Sequence, residues 1–173
     1  MKNLIAVILF LFSFNSIKAQ VWDWGLGVSA VAAPQTLNFG AGARALIMLD
    51  DDVVGIAPQF SYMPGIFKTV EWYAGGHLQY NFRPYKKIGV YAILGAYYNQ
   101  HDQNAEHRVD DNNWSLSFEP GIGVQRNKGC TRPFAEARYN TEWKEAHLHV
   151  GFLFIYGDCF PKKYCSPADN PMK

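Results

Sequence analysis

Hydrophobic and polar residues alternate along most of the chain with a period of two. Between Val70 and Arg83 the even positions are apolar or small, whereas the charged and amide side chains stand at odd positions such as Glu71 and Gln79. Successive side chains of a β-strand point to opposite faces. The pattern therefore predicts a strand that separates two different environments.

The same alternation occurs in eight segments that follow one another without a helical pattern between them. Eight evenly spaced strands predict an all-β fold, an eight-stranded antiparallel up-and-down β-barrel. Pro58 and Pro120 fall inside two of the segments, and we expect local bulges there because proline cannot donate to the ladder. The predicted strands are 21–33, 36–49, 53–63, 69–83, 88–101, 114–127, 131–143 and 146–157.

The positions of lysine indicate which face of the barrel is outside. A sheet face in water carries lysines along its strands, but Lys86, Lys87, Lys128 and Lys144 all fall in predicted turns or loops. The polar face instead carries many glycines, as a narrow lumen filled by side chains requires. We therefore predict a transmembrane barrel with its apolar face toward lipid.

The N-terminus has the layout of a secretory signal peptide. A positive start precedes the apolar run Leu4–Phe12, and the small residue Ala19 precedes the expected cleavage site. We predict a signal peptide at 1–19, a barrel at 20–157 and a periplasmic C-terminal tail at 158–173. Beyond residue 20 no apolar run reaches the roughly 18 residues that a membrane helix needs.

Composition agrees with an alternating membrane barrel. The chain is 49% hydrophobic and 16% aromatic but only 18% charged, and its mean hydropathy is −0.16, an average over a lipid-facing and a polar face. Loss of Lys2 and Lys18 with the leader changes the formal net charge from +1 to −1. A nearly neutral chain offers no electrostatic basis for nucleic-acid binding.

Aromatic residues fall near both ends of the predicted strands, as expected for the two interfacial girdles of a membrane barrel. One girdle would lie toward the periplasm and the other toward the outside. The first set is Trp22, Trp24, Tyr80, Phe82 and Tyr156, and the second is Tyr62, Trp72, Tyr98, Trp114 and Trp143.

With eight alternating segments, two girdles and a leader ending Lys18-Ala19-Gln20, the chain resembles the small eight-stranded outer-membrane proteins of the OmpA/OmpX type, especially the short Bacteroidetes outer-membrane β-barrel families. The resemblance covers residues 21–157 and implies location in the bacterial outer membrane. Members often end in an aromatic residue that closes the last strand, whereas here a tail follows Tyr156. Fold likeness alone does not give function.

Charged residues on the predicted inner face should form a polar network in the lumen, since isolated buried charges are costly. We expect this network to be a structural plug, with a gated small pore as the alternative. Its predicted members are Arg44, Glu71, His77, Arg83, Glu119, Glu136 and Arg138.

No catalytic, metal or cofactor site is predicted. His147 and His149 point to one side near the outer rim, and His101 ends the predicted fifth strand near that rim, but spacing alone does not show the three converging ligands that a metal requires. Some eight-stranded barrels modify lipid A, and Ser115 and Ser117 lie in the same half of the barrel. The lipid A deacylases carry His and Ser two apart on one strand, and this chain has His at both positions.

The chain has three cysteines, all in the exported part where oxidation is permitted. If residues 144–145 form a two-residue hairpin loop, Trp143 faces Ala146, and Cys130 then faces Cys159 at the periplasmic rim. We predict that disulfide first. Cys159–Cys165 and Cys130–Cys165 are the alternatives.

The sequence supports three hypotheses for function. The first is a non-enzymatic structural or accessory subunit of an outer-membrane complex, in contact with lipid and lipopolysaccharide and with a larger outer-membrane protein as its possible partner. The second is a free surface barrel that mediates adhesion or ligand binding through the predicted loop 101–113. The third is a lipid A-modifying hydrolase.

Overall fold

The chain folds into one closed sheet of eight antiparallel strands in a computed structural model, which describes residues 23–49, 53–64, 69–103 and 114–156. Every strand pairs with its neighbours in sequence, and β8 pairs with β1. The predicted leader, the tail and most of the loop 101–113 lie outside the described residues. The strands are β1 (Asp23–Ala33), β2 (Asn38–Leu49), β3 (Val54–Met63), β4 (Thr69–Asn81), β5 (Ile88–Gln103), β6 (Trp114–Arg126), β7 (Thr131–Asn140) and β8 (Glu145–Ile155).

The two ends of the barrel differ in which connections they carry. Asp23 of β1 and Ile155 of β8 lie at one end, called here the proximal end, together with the connections 50–53, 82–87 and 127–130. The opposite, distal end carries the connections 34–37, 64–68, 104–113 and 141–144. No helix in the described part of the chain is long and apolar enough to cross a membrane.

The alternation predicted from the sequence is confirmed. In β8 the odd residues from Glu145 to Ile155 are buried in the lumen, and even residues from Leu148 onward, such as Val150 and Phe152, are exposed on the outer face. The other strands follow the same rule, and their outer residues form an apolar band around the barrel. An exposed apolar band around a polar interior is the arrangement of a transmembrane barrel.

Small and large residues alternate inside the narrow lumen. A Cβ atom on Gly123 would collide with the ring of Tyr91, and one on Gly95 would collide with the ring of Tyr97. These glycines give the two buried tyrosines the space to cross the lumen. This explains why glycine, which weakens a solvated strand, is frequent on the inner face.

Aromatic residues cluster near both ends of the outer face. At the proximal end Trp24 stacks on Tyr156 with ring centroids 3.9 Å apart, and Tyr80 packs edge-on against Phe82 at 5.3 Å. Toward the distal end the indole N–H of Trp72 donates to Gln100 Oε1 at 2.7 Å. The positions of these rings fit the predicted girdles.

The bulges expected at the two prolines are absent from the described strands. Arg44 pairs with Gln59 and Ile47 with Ile56, so the β2–β3 register is the same on both sides of Pro58. The register of Pro120 with β5 is likewise constant. Both proline side chains are exposed on the outer face. Each proline removes one donor without inserting a residue, and the neighbouring strand pairs hold the register.

The predicted two-residue hairpin between β7 and β8 is wrong. The loop has four residues, 141–144, and Tyr139 rather than Trp143 lies opposite Ala146. The side chain of Asn140 explains the shift, because its Oδ1 accepts hydrogen bonds from the backbone N–H groups of Glu142 and Trp143, both at 3.0 Å. Lys144 closes the loop in the left-handed region with φ of 53°.

A charge placed in the middle of the outer face tests which face meets lipid. Val150 is at the centre of β8 and is 61% exposed. We expect Val150→Arg to lower the free energy of unfolding in lipid vesicles by about 2–4 kcal/mol, because an arginine at the bilayer midplane is costly. Urea titration of the refolded protein measures this.

Ile88→Arg is the matched control. Ile88 is 63% exposed but begins β5 at the proximal end, where the same change should cost only about 0–1 kcal/mol. Equal costs at the two positions would contradict the assignment of the outer face to lipid.

Candidate functional site in the lumen

Six of the seven predicted network residues point into the lumen and are buried. They come from β2, β4, β6 and β7, and each stands at an inward position of the alternation. Their exposed fractions do not exceed 5%. The six are Arg44, Glu71, His77, Glu119, Glu136 and Arg138.

Arg83 is the exception, and its prediction as a lumen residue is wrong. Strand β4 ends at Asn81, whose Oδ1 accepts a hydrogen bond from the backbone N–H of Arg83 at 3.0 Å. This side-chain contact turns the chain out of the strand. Arg83 therefore lies exposed in the connection 82–87.

Glu136 is the centre of an ion triad that crosses the lumen. Its Oε1 accepts from Arg44 Nη1 at 2.6 Å, and its Oε2 accepts from Arg138 Nε at 3.1 Å and Nη2 at 2.5 Å. The Tyr91 hydroxyl donates to Oε1 at 2.6 Å. Four donors thus satisfy one carboxylate, which a buried ion needs to offset its desolvation.

The two arginines of the triad have further partners. The guanidinium of Arg44 lies over the ring of Phe134 at 3.6 Å from its centroid, a cation–π contact. Arg138 donates from Nη1 to the Tyr97 hydroxyl at 2.5 Å and from Nη2 to Gln59 Oε1 at 3.0 Å. The triad therefore connects β2, β3, β5 and β7.

Two histidines border the triad. His77 Nδ1 lies 2.9 Å from the Tyr97 hydroxyl, and its Nε2 lies 3.5 Å from Arg44 Nη1. His149 Nδ1 lies 3.5 Å from Gln59 Nε2. Both rings are buried within the network, where they pack as structural members of the plug.

On the proximal side of the triad, an apolar cluster shares the lumen with buried polar side chains such as Arg132, which pairs with Leu153, and amides follow at the barrel end. Asn127 Nδ2 donates to the backbone oxygens of Arg83 and Lys86 at 2.7 and 2.9 Å, and Asn81 Nδ2 donates to Asn127 Oδ1 at 3.1 Å. This layer ties the connection 82–87 to the barrel end. The apolar cluster consists of Leu46, Met48, Ala57, Phe134, Leu153 and Ile155.

On the distal side, the lumen holds polar residues around Glu119 and His147 together with a second buried apolar cluster of Val31, Ala33, Met63, Tyr73 and Tyr97. Asn140 Nδ2 donates to Glu119 Oε1 at 3.2 Å and Asn99 Nδ2 donates to Ser117 Oγ at 2.7 Å. His147 Nδ1 lies 3.3 Å from Glu119 Oε1, and its Nε2 lies 3.0 Å from Glu145 Oε1. The position of His147 near this rim was predicted from the sequence, but its two carboxylate partners were not.

Among the described residues, no hydrogen bond joins His147 to Ser115 or Ser117. The Ser117 hydroxyl accepts from Asn99 and Asn140, at 2.7 and 3.3 Å, and the Ser115 hydroxyl has no hydrogen-bond partner in the part of the chain that the structure describes. His147 lies between two glutamates. Glu142, which the sequence places in the same half of the barrel, is exposed in the connection 141–144.

Cys130 directly precedes β7 and is disulfide-bonded. Its backbone oxygen accepts from Ile155 N at 2.9 Å, so it lies opposite Ile155 and not opposite Cys159. The register that motivated the Cys130–Cys159 prediction is therefore wrong by four residues. Cys159 and Cys165 lie outside the described residues, and the choice between them stays a prediction.

Sequence reasoning missed several residues of the network. The Tyr91 hydroxyl donates to Glu136, and the Tyr97 hydroxyl accepts from Arg138. Gln59 and Arg132 are also buried in the lumen. The signal was present in the alternation, because Tyr91 and Tyr97 share the inward phase of β5 with Gly89 and Gly95. The period-two position, and not the aromatic character of the side chain, decides which face a tyrosine of β5 occupies.

A comparison with protein-family models found no match, and neither did a comparison with curated protein sequences. Solved structures match the fold. The N-terminal barrel of Pseudomonas aeruginosa OprF superimposes with a TM-score of 0.59 at 13% identity, covering 78% of this chain and 97% of that one. The Yersinia pestis outer membrane protein Ail gives 0.52 at 13% identity, covering 78% and 99%.

A de novo designed transmembrane β-barrel gives a TM-score of 0.54 at 13% identity, covering 77% of this chain and 94% of that one. The likeness to natural and designed barrels confirms the eight-stranded transmembrane barrel fold. At such low identity it carries no information about function, and the narrower resemblance to Bacteroidetes families stays a prediction.

Removing the central charge of the ion triad tests its role in stability. Glu136→Gln keeps the shape of the side chain but leaves Arg44 and Arg138 buried without their carboxylate. We expect the free energy of unfolding to fall by about 3–5 kcal/mol, measured by urea titration in lipid vesicles.

The control is Glu142→Gln, the same chemical change at an exposed position, which should alter stability by less than about 0.5 kcal/mol. A Glu136→Gln variant as stable as this control would contradict the structural role of the triad.

Proposed function

We propose that the protein is a non-enzymatic barrel of the bacterial outer membrane that serves as a structural or accessory subunit of a membrane protein complex. In this proposal its C-terminal tail lies in the periplasm, and its outer face contacts lipid, lipopolysaccharide and a larger outer-membrane protein. One feature of the outer face carries the proposal: a concave patch of small residues.

The small-residue patch consists of Ala43, Ala45, Pro58, Ala74 and Gly76, from β2, β3 and β4. Pro58 lies opposite Gly76 on the neighbouring strand, and the larger Phe60 stands between Ala43 on one side and Ala74 on the other. A groove of about 660 Å³ follows this part of the outer face. Larger side chains border it, namely Leu26, Val28, Phe60 and Phe154.

Such a surface fits a protein partner better than it fits disordered lipid. Inside a bilayer the hydrophobic effect does not distinguish a protein surface from a lipid chain, so association depends on close packing. Small side chains let a neighbouring backbone approach, as they do between membrane helices, and we extend that rule to barrels. The bordering side chains would give a partner a defined position.

The interior supports a role that does not require transport. An eight-stranded lumen holds little more than its own side chains, and here the triad, the proximal apolar cluster and the distal polar residues occupy it. This favours a barrel whose function lies on its surfaces.

The alternative function is adhesion or ligand binding through the loop 101–113. Strand β5 extends to Gln103, which pairs with Thr69 of β4, so the first three residues of the predicted loop belong to the strand. The neighbour Ail is an attachment invasion locus protein whose structure is known in complex with the heparin analogue sucrose octasulfate. Deletion of residues 104–113 distinguishes the two functions, because the subunit function should survive it.

Filling the patch tests the proposed function. We expect the wild-type protein, purified from gently solubilised native membranes, to carry a stoichiometric membrane protein partner. Ala43→Trp should reduce the recovered partner by at least about tenfold, because a loss of roughly 1.4 kcal/mol of packing energy corresponds to that factor.

The matched control is Ile122→Trp, which enlarges an outer residue of β6 away from the patch and is 65% exposed in the wild type. This variant should keep the partner. Purification of the wild-type barrel alone, or equal partner recovery with both variants, would contradict the subunit proposal.

A further inference from the structure

Three buried side chains bring possible metal-ligating atoms together in the distal half of the lumen. Glu71 comes from β4, and Glu145 and His147 come from β8, on the other side of the barrel. One ligand atom from each lies within 4.8 Å of the others. The three residues are at most 3% exposed, so the cluster differs from an ordinary acidic surface patch.

Both ring nitrogens of His147 face carboxylates. Metal-binding histidines use one ring nitrogen for the ion and usually direct the other toward a carboxylate. Here Nδ1 lies 3.3 Å from Glu119 Oε1, within ion-pair distance but without hydrogen-bond geometry, whereas Nε2 faces Glu145 Oε1 at 3.0 Å. The Tyr73 ring stacks on the imidazole at 5.4 Å and 7°, which restrains its plane.

The residues behind the ligands are also in place. Asn140 Nδ2 holds Glu119 Oε1 at 3.2 Å, and Asn38 Nδ2 donates to Glu71 Oε2 at 3.3 Å. Glu119 is fully buried, and its Oε2 has no hydrogen-bond partner within the described residues. This oxygen belongs to Glu119, which lies beside His147 and is not one of the three proposed ligands.

The chemistry of the side chains suits a cation at this point. Glu71, Glu119 and Glu145 bring three buried carboxylates toward one imidazole. Carboxylate oxygen and imidazole nitrogen are both ligands of divalent metal ions. A divalent ion between the ligands would join β4 to β8 across the lumen.

We propose that the distal cluster binds one divalent transition-metal ion of the zinc class through Glu71, Glu145 and His147, with Glu119 orienting the histidine. Zinc accepts imidazole nitrogen together with carboxylate oxygen. The imidazole favours a transition metal over magnesium or calcium, which prefer oxygen ligands. The proposal is independent of the subunit function, because its ligands face the lumen and the patch faces lipid.

Calorimetric titration tests the site with the untagged full mature chain, refolded in detergent and freed of metal with a chelator. We expect one equivalent of Zn²⁺ to bind, binding to be lost in His147→Gln, and the affinity to fall about 10–100-fold in Glu119→Gln, as for other residues that orient a ligand. The matched control is His77→Gln, another buried lumen histidine outside the cluster, which should bind Zn²⁺ like the wild type.

X-ray absorption of the zinc-loaded wild type keeps the test independent of whether the variants fold. We expect one imidazole nitrogen and carboxylate oxygens at about 2.0–2.2 Å from the metal. A coordination shell containing sulfur, or one containing oxygen alone, would overturn the assignment. So would the absence of stoichiometric binding by the folded wild type, or unchanged binding in a folded His147→Gln variant.

Discussion

The structure depends on the neutralisation of buried charge inside a barrel too narrow for bulk water. Glu136 receives hydrogen bonds from Arg44, Arg138 and Tyr91, and these contacts join strands on different sides of the lumen. An unpaired ion here would cost several kilocalories per mole. The inverted arrangement, with apolar residues outside and charges inside, is therefore stabilised by the ion pairs of the triad and by the hydrogen bonds that Tyr91, Tyr97 and Gln59 add to it.

Much of the fold could be predicted from the period of two, because that period is a direct consequence of strand geometry. The alternation in β4 and β8 placed Glu71 and His147 inside and Val150 outside, as the structure has them. The errors arose where side chains redirect the backbone. Asn81 ends β4 before Arg83, and Asn140 starts the β7–β8 loop early, and both act through local hydrogen bonds that the alternation does not encode.

The candidate sites were less predictable, because they depend on contacts between distant strands. Glu71 and His147 are 76 positions apart in the sequence, and only the closed barrel brings β4 and β8 to face each other. The lumen thereby contains the central triad, an apolar cluster on each side of it, and a distal group of carboxylates and histidine. Because side chains occupy the interior, the outer small-residue patch and the distal end are the surfaces that remain available to a partner.

A double-mutant cycle between Arg44 and Glu136 tests the central claim, that their contact across the lumen stabilises the barrel. The free energies of unfolding of the wild type, Arg44→Gln, Glu136→Gln and the double variant would be measured in the same lipid vesicles. Our account predicts that the double variant loses less than the sum of the single losses by at least about 1 kcal/mol, because contacting charges couple. Losses that add within about 0.5 kcal/mol, as those of independent sites do, would contradict it.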